Sequence, residues 1–137
     1  MKQRLPRWRL LGVIGLALAV MSGQARATEE TVKPAFTYPL PNVPGKAATG
    51  LLVTYPPGGR SPKHHHAGSV IAYVLSGAIR SENSATGVAR VYKAGESFFE
   101  PPGSTHLVSE NASATEPATL LAVFVADQDA NLKTNEP

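Results

Sequence analysis

Beyond residue 49 the chain is a succession of short apolar or alternating segments, each stopped by glycine, proline or a polar turn. Leu51–Tyr55 is a strand halted by Pro56-Pro57-Gly58-Gly59. Val70–Arg80 is the longest segment, with Gly77 where an extended chain must bend or bulge. Val88–Tyr92 follows a turn at Ser84–Gly87, Glu96–Glu100 follows Ala94-Gly95, and Thr105–Glu110 follows Pro101-Pro102-Gly103. Thr119–Ala126 is the last and most apolar. No stretch after residue 28 keeps a helical period over three turns, so strands are expected throughout. Many short strands at close spacing predict an all-β, single-domain sandwich or barrel over residues 49–126.

The flanks read differently. Residues 28–48 hold Pro34, Pro39, Pro41 and Pro44, which remove backbone donors and fix φ; an extended arm with one short edge strand near Ala35–Leu40 is predicted. Residues 127–137 are polar and predicted as a disordered tail or a short helix. Inside the barrel, Val70–Leu75 is apolar at both parities, whereas a strand wetted on one face alternates. Both its faces are therefore expected to be covered, the outer one by the proline-rich arm or by a second copy in a homodimer. Tyr73, Phe98, Phe99 and Phe124 are expected in the core or the cavity wall.

Charge changes the picture at the N-terminus. Lys2, Arg4, Arg7 and Arg9 precede an uncharged, largely apolar run from Leu10 to Gly23, then Ala25-Arg26-Ala27. This is the layout of a secretory signal peptide over residues 1–27, cleaved after Ala27. The expected location is periplasmic or secreted, with no membrane attachment after cleavage. Five of the 13 Lys and Arg residues lie in that segment and none of the 10 acidic residues does. The remainder carries 8 basic and 10 acidic residues, a net charge of −2, which argues against a nucleic-acid partner. No cysteine is present, so no disulfide braces the domain.

Two clusters carry candidate chemistry. His64, His65 and His66 stand between a Pro/Gly turn and a strand. In an extended chain alternate side chains share a face, so His64 and His66 point together and His65 points away. Two imidazoles on one face make half of a metal site; a three-histidine run by itself also reads as an exposed tract. His106 follows the Pro101-Pro102-Gly103 turn, with Ser104 and Thr105 ordering that turn. No spacing of Ser, His and carboxylate suggests a hydrolase triad.

At this point the chain resembles a cupin. The first cupin motif is glycine, five residues, His, one residue, His, three or four residues, Glu, six residues, glycine. It reads here as Gly58, His64, His66, Val70 in place of Glu, and Gly77. The second is glycine, five residues, Pro, one residue, Gly, two residues, His, three residues, Asn. It reads as Gly95, Pro101, Gly103, His106, Glu110 in place of Asn, and Asn111 one step later. The resemblance spans about 50–126 and implies a double-stranded β-helix, or jelly-roll barrel, in which His64, His66 and His106 converge on a divalent metal ion. Iron is the expected ion, with zinc, manganese, nickel or copper as alternatives.

Val70 cannot bind a metal, which leaves three readings. The site is a neutral three-histidine one with open positions; or another carboxylate substitutes, Glu100 being the candidate because it shares the parity of Phe98; or the metal has been lost. The functional expectation is an iron(II) dioxygenase acting on a small organic molecule, with Glu100 as a base or ligand-orienting group; the same residues also suit an isomerase that uses the metal as a Lewis acid. The alternative is a non-catalytic periplasmic protein that binds a metal or a small molecule. Val70, Ala72, Val74 and Phe98 predict a small and mainly apolar cavity.

Overall fold

A computed structural model describes residues 29–137. The signal-peptide reading of residues 1–27 lies outside them. Ten strands follow in order: β1 Thr31–Pro39, β2 Lys46–Tyr55, β3 His64–His65, β4 Ser69–Ser76, β5 Ala78–Asn83, β6 Gly87–Lys93, β7 Ser97–Glu100, β8 Thr105–Asn111, β9 Ala118–Asp127 and β10 Thr134–Asn135. No helix occurs among the described residues. The strands form two five-stranded sheets, ordered β1-β2-β9-β4-β7 and β10-β3-β8-β5-β6. All pairings within them are antiparallel. Two sheets facing each other through alternating inward side chains are the jelly-roll solution to burying the strands' apolar faces.

Alternation sets the core. Val70, Ala72 and Val74 of β4 point inward and are buried, as do Leu120, Ala122 and Phe124 of β9, Phe98 of β7 and Tyr55 of β2. Ile79 of β5 meets them from the second sheet. Each of the larger apolar side chains contributes about 1.5–3 kcal/mol of burial free energy. Gly77 divides the long apolar segment into β4 and β5, which belong to different sheets. Its φ is +70°, and a Cβ there would lie 2.7 Å from the Pro117 carbonyl oxygen. Only glycine takes that corner without strain.

The flanks depart from the expectation drawn from the sequence. The proline-rich arm is not a cover: β1 pairs with β2 from Thr31↔Thr54 to Pro39↔Ala47, with an irregularity at Pro34/Phe36. It extends the first sheet sideways, separated from β4 by β2 and β9. The outer face of β4 therefore stays open in the single chain, and Ile71, Tyr73 and Leu75 are each about half exposed. Phe99, the register partner of Ile71, is exposed beside them. Tyr73 and Phe99 thus lie outside the core, because their parity on β4 and β7 is the outward one; Phe98 and Phe124 are inside. The polar tail is neither helical nor disordered. Its Thr134–Asn135 segment pairs with His64–His65 and completes the second sheet.

Candidate metal centre

The second sheet supplies the histidines. On adjacent strands β3 and β8, His64 and His106 are direct register partners, with ring centroids 5.0 Å apart. His66, just past β3, has its ring 4.7 Å from that of His64. All three are buried, and one ligand nitrogen from each lies within 4.8 Å of the others. His65 points away: its side chain is half-exposed, and Nδ1 is 3.6 Å from Oε1 of Glu136. The two-residue alternation of the His run therefore sorts ligand candidates from surface as expected.

Each ring is oriented through a second nitrogen. His64 Nδ1–H donates to the Pro62 carbonyl at 2.7 Å, and His66 Nδ1–H donates to the Leu132 carbonyl at 2.7 Å. Those bonds leave Nε2 of both neutral rings free of a proton, the form that ligates metals. Ser81 Oγ lies 2.8 Å from His106 Nε2. Burial pushes the His64 imidazolium down to about 4, against the weaker upward pull of its bond to Pro62. Burial lowers His66 as well, and the nearby Glu100 carboxylate offsets only part of this. Both are neutral near pH 7, as metal ligation requires.

Glu100 enters this cluster from the opposite sheet. Its side chain is buried, with Oε2 3.1 Å from His106 Nδ1 and 3.7 Å from His66 Nε2. Burial works to raise its pKa, but the hydrogen bond and charges of the surrounding histidines overcome this and hold it below the ordinary carboxylate range. Its register partner across β4 and β7 is Val70. The carboxylate therefore comes from the strand position directly opposite the one where the cupin motif has Glu. Three imidazoles and one carboxylate remain a donor set suited to a first-row divalent ion. Of the other motif departures, Glu110 lies near the surface and pairs with Arg80 at 2.8 Å. Asn111 is buried and structural: its Nδ2 donates to the carbonyls of Pro56 and Glu116 at 3.0 and 2.7 Å.

The site opens on a cavity of about 140 Å³. Val70, Ala72, Phe98, Leu120, Ala122 and Phe124 give it a mainly apolar wall, matching the expectation for Val70, Ala72 and Phe98. Val74, expected there too, is core rather than lining. Tyr55 contributes a hydroxyl held by Ser109 at 2.7 Å and Ser61 at 3.0 Å, and burial pushes its pKa up to about 12. Sequence reasoning missed Tyr55, Ser81, Glu30 and Lys133, all of which line the cavity or orient a ring. Single polar residues in strands and tails carry no periodic signal that would have found them.

A sequence profile of the cupin domain matches residues 51–124, more than half of the chain. The chain belongs to the cupin family. This cupin has no match among curated proteins. Among solved structures it is similar to a double-stranded β-helix protein of Klebsiella pneumoniae, with TM-score 0.60 and 21% identity, covering 80% of this cupin and 86% of that chain. It is similar also to the DMSP lyase DddQ of Ruegeria pomeroyi, with TM-score 0.56 and 20% identity over 64% of this chain. A third similar structure is the oxalate decarboxylase of Bacillus subtilis, described as having Mn(II) centres, with TM-score 0.54 and 29% identity over 64% of this chain. This cupin spans only 42% of the lyase and 23% of the decarboxylase.

Proposed function

We propose that this cupin is an exported, metal-dependent enzyme that binds iron(II) through His64, His66 and His106 and acts as a dioxygenase on a small organic molecule. The observation that carries the reading is the convergence of three buried, externally tethered imidazoles on one point beside an apolar cavity. The Mn(II) centres described for the similar decarboxylase support a divalent ion on this scaffold. The basic and apolar segment at residues 1–27 supports export. A redox-active ion supplies electron transfer between dioxygen and a substrate bound beside it. The chain's own residues do the rest. His64 and His66 hold the ion with geometry set from Pro62 and Leu132. Glu100 completes the donor set or takes a substrate proton, and Phe98 and Phe124 keep water from the reacting face.

The apolar outer face supports a homodimer. Ile71, Tyr73 and Phe99 are contiguous there with Leu121 and Val123 of β9, by strand register. On the same face lie Leu52 of β2 and Phe36 of β1, across the whole sheet. Five strands at about 4.8 Å spacing make this face roughly 20 Å wide, and its most exposed part is Ile71, Tyr73, Leu75 and Phe99, a cluster of the kind that marks an interaction surface. A second copy placed on it across a two-fold axis buries the same residues from both sides.

The test is metal content of the untagged exported protein beside His106→Ala, followed by substrate-dependent oxygen uptake. Near-stoichiometric iron that disappears in the variant, with oxygen uptake, is the expected result. Zinc without turnover in the iron-reconstituted protein moves the reading to a non-catalytic periplasmic binder. No metal in either protein after incubation with iron, manganese, nickel, copper and zinc overturns the metal site.

A further inference from the structure

His106 is held differently from the other two candidate ligands. His64 and His66 each donate from Nδ1 to a carbonyl, which leaves Nε2 without a proton. His106 is turned the other way. Its Nε2 lies 2.8 Å from Ser81 Oγ on the neighbouring strand β5, and its Nδ1 lies 3.1 Å from Glu100 Oε2 of the opposite sheet. Ser81, His106 and Glu100 are all buried. Turning the ring over by 180° would set carbons against both partners and lose both contacts, so its orientation is fixed from two sides. An ionised carboxylate only accepts hydrogen bonds. In the metal-free protein Nδ1–H therefore donates to Glu100, and Nε2 accepts from the Ser81 hydroxyl.

Two observations say which nitrogen would meet an ion. Glu100, His64, His66 and His106 line the cavity, whereas Ser81 does not, so the Ser81 side of the ring is the closed one. The second observation is spacing. Glu100 Oε2 stands 3.1 Å from His106 Nδ1 and 3.7 Å from His66 Nε2. Donors that each sit about 2.1 Å from one ion lie about 3.0 Å apart at right angles and about 3.4 Å apart in a tetrahedron. Both distances fall close to those values, and both are measured on the Nδ1 side of His106. We propose that His106 ligates through Nδ1, opposite in sense to Nε2 of His64 and His66, and that Ser81 is the residue that positions it. On loading, the ring gives up its proton at Nδ1 and gains one at Nε2, so it stays neutral. The Ser81 hydroxyl turns from donor to acceptor. This inference rests on the metal part of the functional reading and is independent of iron, dioxygen and substrate.

The test is long-range proton–nitrogen NMR of the imidazoles, in the metal-free protein and after loading with zinc, which is diamagnetic. Before loading, all three rings should carry their proton on Nδ1. After loading, His64 and His66 should keep theirs, whereas His106 should show a coordinated Nδ1 and a protonated Nε2. Ser81→Ala should lower zinc affinity at least about tenfold, the usual effect of losing the group that orients a ligand ring. It should also abolish the slowly exchanging Nε2–H signal of His106 and leave the Nδ1–H signals of His64 and His66 in place, which a general loosening of the fold would not do. Zinc on Nε2 of His106, or wild-type zinc affinity in Ser81→Ala, overturns this proposal alone. The wild-type spectra decide by themselves if the variant does not fold. No zinc binding in the wild-type protein overturns the proposal together with the metal site.

Discussion

Glu100→Gln tests whether a carboxylate on β7 has taken over from position 70. The substitution keeps size and hydrogen-bonding shape and removes one buried charge. Oε2 lies 3.1 Å from His106 and 3.7 Å from His66, so it shares the space onto which the imidazoles converge. Unit charges about 4 Å apart interact with about 4 kcal/mol at an effective dielectric of about 20. Part of that is offset by water entering the variant, and the expected loss in metal affinity is about 10–100-fold. Val70 and Glu100 are cross-strand partners on the inward face, which sets their Cβ atoms about 5 Å apart. The double variant, Val70→Glu combined with Glu100→Gln, should therefore restore affinity to within about tenfold of the parent, since the carboxylate returns from the neighbouring strand. Val70→Glu alone places two carboxylates side by side and should destabilise the metal-free protein by roughly 3 kcal/mol from repulsion alone. Metal loading should recover much of this. Competition with a fluorescent chelator reads the affinities, and urea denaturation reads the stability. Wild-type metal affinity in Glu100→Gln refutes the reasoning and leaves a neutral three-histidine site.

Four further outcomes are expected. The folded pKa of His64 is depressed to about 4 from 6.5, so the unfolded chain takes up its proton first as pH falls. The metal-free protein should then hold this contribution above pH 6.5 and lose about 3 kcal/mol of it by pH 4, so His64→Asn should make the fall in stability across that range shallower in urea titrations, the part due to His66 remaining. Deleting residues 128–137 removes both the Leu132 carbonyl from His66 and β10 from β3; calorimetric metal affinity should fall at least about tenfold, and an unchanged value would show that the tail does not set the ring. His65→Ala should leave metal content near wild type while His106→Ala empties the site; equal loss in both would contradict the strand register. Tyr73→Lys should convert a dimer to a folded monomer in light scattering, and a dimer that persists would exclude the open sheet face as the interface.

What the sequence determined by itself was local. Turn residues and two-residue alternation are written in neighbouring positions, so the strands, the break at Gly77 and the separation of His64 and His66 from His65 could be read directly. The spacing of the two histidine motifs likewise carried the family and the ligand candidates. Parity also brought Glu100 to the inward face with Phe98, but it did not say which residue stood opposite. That Glu100 faces Val70 depends on the β4–β7 register, a pairing between segments some 30 residues apart. The outward parity of Tyr73 and Phe99, and the sideways docking of the arm on β2, depend on sheet order in the same way. The tail is the extreme case: its largely polar residues show no period, yet Leu132 orients His66 and Lys133 reaches Glu30, 103 positions earlier. Such contacts are set by closure of the two sheets, which brings together chain ends whose compositions hold no trace of one another.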